Sequence, residues 1–213
     1  MQVVVVAIVL CTSAATIQAQ MPNLEITPYV GFRFGGGLKA GTVNQSTLPV
    51  DELSFSAAPL LGLAANFRLI PGLQLELFGE RMASTLESDL SGSPFPPTDY
   101  HLWYLHAGVL YEVNKSYQYP IRPLVGITAG TTLLDPRNDA ATVARFSVAI
   151  LLGVKYFPSH KIGLRVHGRL MTTNLFPDDE FYCNDGTCYR ISERTYMTQI
   201  DISAGVIIPI YWQ

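Results

Sequence analysis

Apolar and polar side chains alternate along most of the chain with a period of two. From residue 24 onward the odd positions are Glu, Thr, Tyr, Gly or Arg, while the even positions are Leu24, Ile26, Pro28, Val30, Phe32 and Phe34. Because successive side chains of a β-strand point to opposite faces, this alternation predicts a strand with one apolar and one polar face. Similar alternation occupies residues 54–69, 73–82, 101–113, 121–133, 145–157, 162–171 and 196–211. The sequence therefore predicts eight strands.

The lengths of these segments and of their connections narrow the fold class. Each segment has about ten or more residues, as a tilted strand needs to cross ~25 Å of hydrocarbon, whereas soluble strands average about five or six. The connections 70–72, 114–120 and 158–161 are short, and they alternate with longer ones at 36–52, 83–99, 134–144 and 172–195. Short turns at one end and long loops at the other are typical of outer-membrane barrels.

The charged residues decide which face of the sheet is outside. The face that carries the glycines also carries Glu25 and Arg145, together with Arg33, Arg68, Glu76, Glu80, Glu112, Arg122, Lys155, Arg165, Arg169 and Asp201. The opposite face is almost free of charge, with Arg81 as its exception near a loop. A soluble lipocalin-like barrel would need charges on its outer surface, because large apolar patches in water aggregate. The pattern favours an apolar exterior and an interior ion-pair network that fills the lumen.

Closure and the aromatic residues extend this interpretation. An open strand edge in lipid leaves backbone groups unsatisfied, so eight strands must close into an all-β antiparallel up-and-down barrel, with an interior about wide enough for side chains. Aromatic girdles are expected where such strands meet the membrane surfaces. The apolar face supplies candidates at the strand ends, namely Phe55, Trp103, Phe146 and Tyr196 on the loop side and Phe67, Tyr111, Tyr156 and Trp212 on the turn side.

Composition and the first residues bear on location. Of the 213 residues, 48% are hydrophobic and only 15% charged, which argues against disorder, a coiled coil or a nucleic-acid-binding arm. Residues 1–19 are uncharged and contain an apolar stretch, so we predict a signal peptide followed by a barrel domain over 20–213. In an exported chain, Cys183 and Cys188 around an Asp-Gly turn predict a disulfide-closed loop tip, with free thiols or a metal site as the less favoured alternatives.

Several stretches resemble the small eight-stranded outer-membrane protein barrels, the OmpA-like and OmpX-like group of porin family proteins. These stretches are ITPYVGFRFGGG (26–37), YLHAGVLYEV (104–113), RPLVGITAG (122–130), FYCNDGTC (181–188) and TQIDISAGV (198–206). The last strand also resembles the family's assembly signal, here Ser203, Gly205, Ile208 and Ile210, although the chain continues past Trp212 to Gln213. The resemblance implies an integral protein of the bacterial outer membrane that contacts its lipids and the barrel assembly machinery.

Two hypotheses about function follow, and both are non-enzymatic. The first is a barrel with a side-chain-filled lumen whose surface-exposed loops make structural or adhesive contacts, and the second is a narrow porin-like barrel that passes small solutes. Catalysis is not expected, because no histidine has a serine two residues away on the same strand face and no nucleophile elbow occurs. The sequence predicts no cofactor, no metal site and no nucleic-acid partner, and it leaves the extracellular partner open.

Overall fold

The computed structural model describes residues 22–42, 51–88, 97–113, 120–137, 140–159, 161–176, 180–184, 187–191 and 195–211, with the backbone alone at 39–42, 51–52, 180–184, 187–191 and 195. The predicted signal peptide lies outside these residues. The strands in the described part are β1 (Leu24–Gly35), β2 (Leu38–Thr42), β3 (Asp51–Phe55), β4 (Ala58–Ile70), β5 (Leu73–Ser88), β6 (Thr98–Glu112), β7 (Ile121–Pro136), β8 (Val143–Tyr156), β9 (Gly163–Leu175), β10 (Glu180–Asn184), β11 (Thr187–Ile191) and β12 (Thr195–Ile210). None of the described residues forms a helix long and apolar enough to cross a membrane.

Eight of these strands close into a single antiparallel ring. β1 pairs with both β12 and β4, and the ring continues through β5, β6, β7, β8 and β9 back to β12. The pairing of β5 with β6 closes the sheet, so the long strands have no free lateral edge. This architecture confirms the predicted eight-stranded up-and-down barrel.

The alternation of the sequence becomes an alternation of burial. On β8, Ser147, Ala149 and Leu151 are buried inside the barrel, whereas Val148 and Leu152 face outward and Leu152 is 62% exposed. Large apolar side chains are exposed in the same way on each of the eight long strands. The barrel therefore carries its apolar surface on the outside.

The strand predicted over 54–69 is divided, and this corrects one girdle residue. β3 pairs Phe55 with Leu86 on β5, but β4 pairs Leu60 with Met82 on the same strand, so the register shifts by one position across the break at 56–57. The shift reverses which positions face inward. Phe55 is consequently only 3% exposed and packs edge-on against Tyr100, so its predicted place in the outer aromatic girdle is wrong.

At the loop end of the barrel, more residues lie in β-strands than the sequence indicated. β5 runs to Ser88 and β9 to Leu175, beyond the predicted ends at 82 and 171. The predicted loops 36–52 and 172–195 contain the short strands β2, β10 and β11 and the first two residues of β3. These strands continue the sheet sideways from the end of β5 in the order β3, β2, β11, β10, and this four-stranded extension is called the loop sheet below.

Candidate functional site: the charged lumen

A lysine-centred cluster lies near the turn end of the lumen. Lys155 Nζ lies 2.5 Å from Glu25 Oε2 and 2.8 Å from Glu112 Oε1, and it donates to Gln74 Oε1 at 2.7 Å. Gln74 Nε2 in turn donates to both carboxylates, at 3.3 and 3.1 Å. The four side chains come from β8, β1, β6 and β5. One buried ammonium group thus links strands on different sides of the barrel.

A second group of charges crosses the lumen closer to the loops. Glu80 on β5 ion-pairs with Arg33 on β1 and, at 2.7 Å, with Arg169 on β9. Arg33 Nη2 also lies 2.6 Å from Asp201 Oδ2 on β12, and the Tyr29 hydroxyl donates to Glu80 Oε2 at 2.9 Å. Glu80 therefore accepts from three donors, and four of the eight long strands meet at this carboxylate or its immediate partners.

Glu76 extends the same group along β5 toward the turns. Arg165 Nη1 lies 2.6 Å from Glu76 Oε2, and Asn66 Nδ2 donates to that oxygen at 2.9 Å. Arg169 Nη2 lies 3.9 Å from the other oxygen of Glu76. The connected group contains three cations and three anions, namely Arg33, Arg165, Arg169, Glu76, Glu80 and Asp201. Its formal charge is therefore zero, as a buried ionic group requires.

Aromatic rings and the remaining bases complete the network. The guanidinium carbon of Arg33 lies 4.2 Å from the ring centroid of Tyr104, and that of Arg169 lies 3.8 Å from that of Phe78, both within cation–π distance. Arg122 is buried with its guanidinium 4.3 Å from the Phe157 ring, and Arg68 is half-buried. The structure thus places all ten predicted network residues along the inner wall, in a lysine-centred group, a central group and two bases near the turns.

An apolar layer covers the central group on the loop side. The charge pattern of the sequence indicated a polar inner face and did not predict this layer. Its residues are each at most 3% exposed, namely Leu53, Phe55, Leu60, Met82, Leu86, Tyr100, Leu102, Leu134, Met171, Leu175 and Met197. The signal was present, because residues such as Leu86 and Leu102 share the strand phase of the inner charges. In the described part of the chain, buried ion pairs thus occupy the middle of the lumen and buried apolar side chains occupy its loop end.

A serine and a histidine also meet inside the barrel. His106 Nε2 lies 2.8 Å from Ser147 Oγ, and its Nδ1 lies 3.3 Å from the Thr128 hydroxyl. Spacing along the sequence does not predict this pair, because its members lie on different strands, β6 and β8. Thr132 donates to Ser147 at 3.0 Å, Ser147 is fully buried, and the imidazole meets a hydroxyl where a catalytic triad has a carboxylate. These contacts fit an internal polar network better than an accessible nucleophile.

The predicted assembly-signal residues lie on the last strand, β12, some on its inner face and some on its outer face. Ser203 is buried and donates to Asp201 at 3.2 Å, whereas Ile208 and Ile210 face outward. Gly205 pairs with Tyr29, and a Cβ atom there would lie 2.7 Å from the Tyr29 Cβ atom. The same Cβ atom would lie 2.5 Å from the Pro28 carbonyl oxygen, so glycine at this position permits the close approach of β12 to the backbone of β1.

The predicted disulfide falls on residues whose backbone alone is described. β10 and β11 pair antiparallel, and Cys183 stands directly opposite Cys188 in their register. Among the described residues, no group of three or more His, Cys, Asp or Glu side chains is placed to hold a metal ion.

The barrel is similar to solved structures of outer-membrane proteins. The chain is similar to Neisserial surface protein A, with a TM-score of 0.57 and 15% identity over 88% of this chain and 97% of that protein. It is similar to the outer membrane protein OprG from Pseudomonas aeruginosa, with a TM-score of 0.60 and 10% identity over 87% and 98%. The chain has the fold of the small outer-membrane β-barrels.

A third similar structure is the outer membrane protein AlkL in lipid bilayers, with a TM-score of 0.58 and 14% identity over 92% of this chain and 95% of AlkL. No protein-family model matches the chain, and no curated protein sequence matches it significantly. At such low identity, the likeness concerns the barrel architecture.

Proposed function

We propose that the mature chain, residues 20–213, is an integral, non-enzymatic β-barrel of a bacterial outer membrane, with a closed lumen and with loops that make structural or adhesive contacts. The observation that carries this proposal is the distribution of side chains across the barrel wall. Leu61, Val30 and Ile202 are about 60% exposed on the outer face, at 66, 61 and 58%, whereas Arg33, Arg165 and Arg169 are 1% exposed inside. This distribution suits a barrel embedded in lipid, because the apolar outer face contacts the hydrocarbon chains and the charged side chains are kept away from them inside the barrel.

The outward aromatic residues support a membrane position. Trp103 and Tyr111 are both exposed on the outer face of β6, at 42 and 38%. Trp103 lies toward the loop end of the strand, and Tyr111 lies toward its turn end. Eight residues of strand span about 27 Å at about 3.4 Å per residue, or about 21 Å along the membrane normal at a tilt of about 40°. Phe146 and Tyr196 lie outward at the loop ends of β8 and β12, and Tyr156 lies outward at the turn end of β8. This spacing suits the two edges of a hydrocarbon layer.

The loop sheet supports a role at the cell surface. Its strands extend the barrel sheet beyond the end of β5 and join two distant parts of the chain. The four long connections contain twelve acidic and four basic residues, so the contact surface is acidic. Outer-membrane lipids and the barrel assembly machinery are the partners that this location implies.

A disulfide between Cys183 and Cys188 is part of the proposal. Residues directly opposite in an antiparallel pair have Cα atoms about 4.5–5.5 Å apart, which overlaps the range of about 4.4–6.8 Å found for disulfides. The bond would close the hairpin of β10 and β11 and fix one edge of the loop sheet.

Membrane fractionation and heat-dependent migration on detergent gels test the proposal. We expect the mature chain in the outer-membrane fraction, and we expect unheated samples to migrate differently from boiled ones because the closed barrel resists detergent. A chain that remains in solution in plain buffer without detergent would contradict the proposal.

A narrow pore is the second candidate. It is favoured by buried donors of Arg33, Arg165 and Arg169 that have no hydrogen-bond partner among the described residues, because such donors suit water or a passing anion. Planar-bilayer recordings distinguish the two candidates. The closed barrel predicts no steady current steps, whereas salt-dependent steps from the purified protein would establish the pore.

A further inference from the structure

The outer wall carries a cation beside the apolar band, Arg81, that the alternation does not explain. Arg81 is exposed on the outer face of β5, level with Leu61 on β4 and Trp103 on β6. Because Trp103 marks the loop-side edge of the apolar band, Arg81 lies where the headgroups of the surrounding leaflet would be. A cation at this level can meet an anionic group of a lipid.

The surroundings of Arg81 hold its guanidinium in place without neutralising it. Its carbon lies 5.1 Å from the ring centroid of Trp103, and Nη2 lies 3.3 Å from both ring nitrogens of His101. Within the described part of the chain, no carboxylate forms an ion pair with Arg81. Asp135 on β7 stands opposite His101 in the strand register, but its carboxylate accepts a hydrogen bond from the Thr142 hydroxyl at 2.8 Å.

An apolar groove lies directly below Arg81, toward the middle of the band. Its volume is about 510 Å³, and its outward-facing lining includes Leu63, Leu77, Gly79, Leu105, Ala107 and Ala129. The strand register fixes the arrangement, since Gly79 is two residues from Arg81 and pairs with Leu63 and Leu105, and Leu77 pairs with Ala107. Small side chains thus leave a recess between leucines, beginning one row beneath the guanidinium.

We propose that Arg81 and this groove form a binding site for an acylated lipid of the loop-side leaflet whose headgroup phosphate leaves it with a net negative charge. The guanidinium lies at the level of the headgroups and contacts the headgroup phosphate. One acyl chain of the same lipid lies in the groove below. Charge complementarity selects the occupant, because an unpaired cation above an apolar recess matches an anionic amphiphile. The inference rests on the proposed membrane location of the barrel.

Tryptophan quenching tests the site with defined lipids. The chain has two tryptophans, so Trp212→Phe leaves Trp103 as the single reporter beside Arg81. The refolded variant is placed in phosphatidylcholine vesicles that contain a small fraction of lipid brominated on its acyl chains. Brominated phosphatidylglycerol is compared with brominated phosphatidylcholine that has the same chains.

We expect the phosphatidylglycerol to bind near Trp103 about fivefold more tightly than phosphatidylcholine, the factor that one basic side chain supplies at an anionic surface. Arg81→Gln should bring the ratio close to one. Ala107→Leu fills the groove and should weaken phosphatidylglycerol binding while Arg81 stays in place. Ala204→Leu makes the same change on the outer face of β12, away from the groove, and should have no effect.

The outcomes separate this inference from the proposed function. Equal quenching by both lipids, unchanged by Arg81→Gln, would overturn the lipid site and leave the membrane barrel intact. Shielding of Trp103 by dimerisation of the barrel, without lipid preference, would assign the groove to a second copy and also overturn it. An absence of quenching by any brominated lipid would refute the membrane location on which both proposals depend.

Discussion

Replacing Glu80 by Gln removes one charge from the centre of the lumen and changes its shape little. Glu80 is the acceptor for Arg33, Arg169 and the Tyr29 hydroxyl. In the variant, Arg33 retains Asp201 at 2.6 Å, whereas Arg169 retains Glu76 at 3.9 Å. The central group changes from three cations and three anions to three cations and two anions.

The size of the effect follows from burial. Removing one partner of a buried ion pair costs about 3–5 kcal/mol, because an uncompensated charge is left in a medium of low dielectric constant. The amide oxygen of Gln can still accept a hydrogen bond and Asp201 still pairs with Arg33, so we expect a loss near the lower value, about 3 kcal/mol. This corresponds to a more than hundredfold reduction of the folding equilibrium constant, at about 1.4 kcal/mol for each factor of ten.

The assay is reversible urea unfolding of the barrel in lipid vesicles, followed by tryptophan fluorescence and by the shift between folded and unfolded bands on gels. Glu87→Gln is the matched control, since Glu87 lies on the same strand but is exposed outside. The control should change the free energy of unfolding by no more than about 0.5 kcal/mol. If both variants lost the same free energy, the central ion-pair group would not stabilise the barrel and the reasoning would be refuted.

Three further predictions use the same preparations. Lys155→Met leaves the carboxylates of Glu25 and Glu112 without their ion-pair partner, and it should lower the free energy of unfolding in urea by about 3 kcal/mol. Lys161→Met changes an exposed position and should leave that free energy almost unchanged. Phe55→Ala should cost about 3–5 kcal/mol as a buried aromatic truncation and Phe146→Ala clearly less, and equal losses would contradict the inward position of Phe55. The mature, exported chain should bind maleimide at both cysteines only after reduction; labelling without reductant would exclude the disulfide.

The sequence was sufficient for the barrel because its wall is a period-two structure. Every long strand places one face in the lumen and one outside, so the alternating segments indicated the number of strands. Ten charged residues from Arg33 to Asp201, all on one phase, indicated which face of the sheet is inside. Closure followed from the need to pair every strand edge. These features depend on local alternation, which a single sequence displays directly.

The errors arose where alternation is interrupted or where contacts join distant strands. A two-residue break reversed the phase before Ala58, and only the register on β5 shows that Phe55 turned inward. The loop-sheet strands have five residues each, too few for a reliable periodic signal. The contact between His106 and Ser147 depends on where β6 and β8 stand around the ring, which spacing within one strand does not indicate.

The central claim is that apolar side chains face lipid and charged ones face the enclosed axis, and site-directed spin labelling of β8 tests it most directly. Cysteines at Val148, Ala149, Ile150, Leu151 and Leu152, in a chain with Cys183 and Cys188 replaced by Ser, carry a nitroxide in vesicles. We predict that relaxation by lipid-soluble oxygen rises at the three outward positions and falls at Ala149 and Leu151, with the water-soluble nickel reagent excluded from the outward set. Strong relaxation of the outward labels by the nickel reagent would contradict the claim.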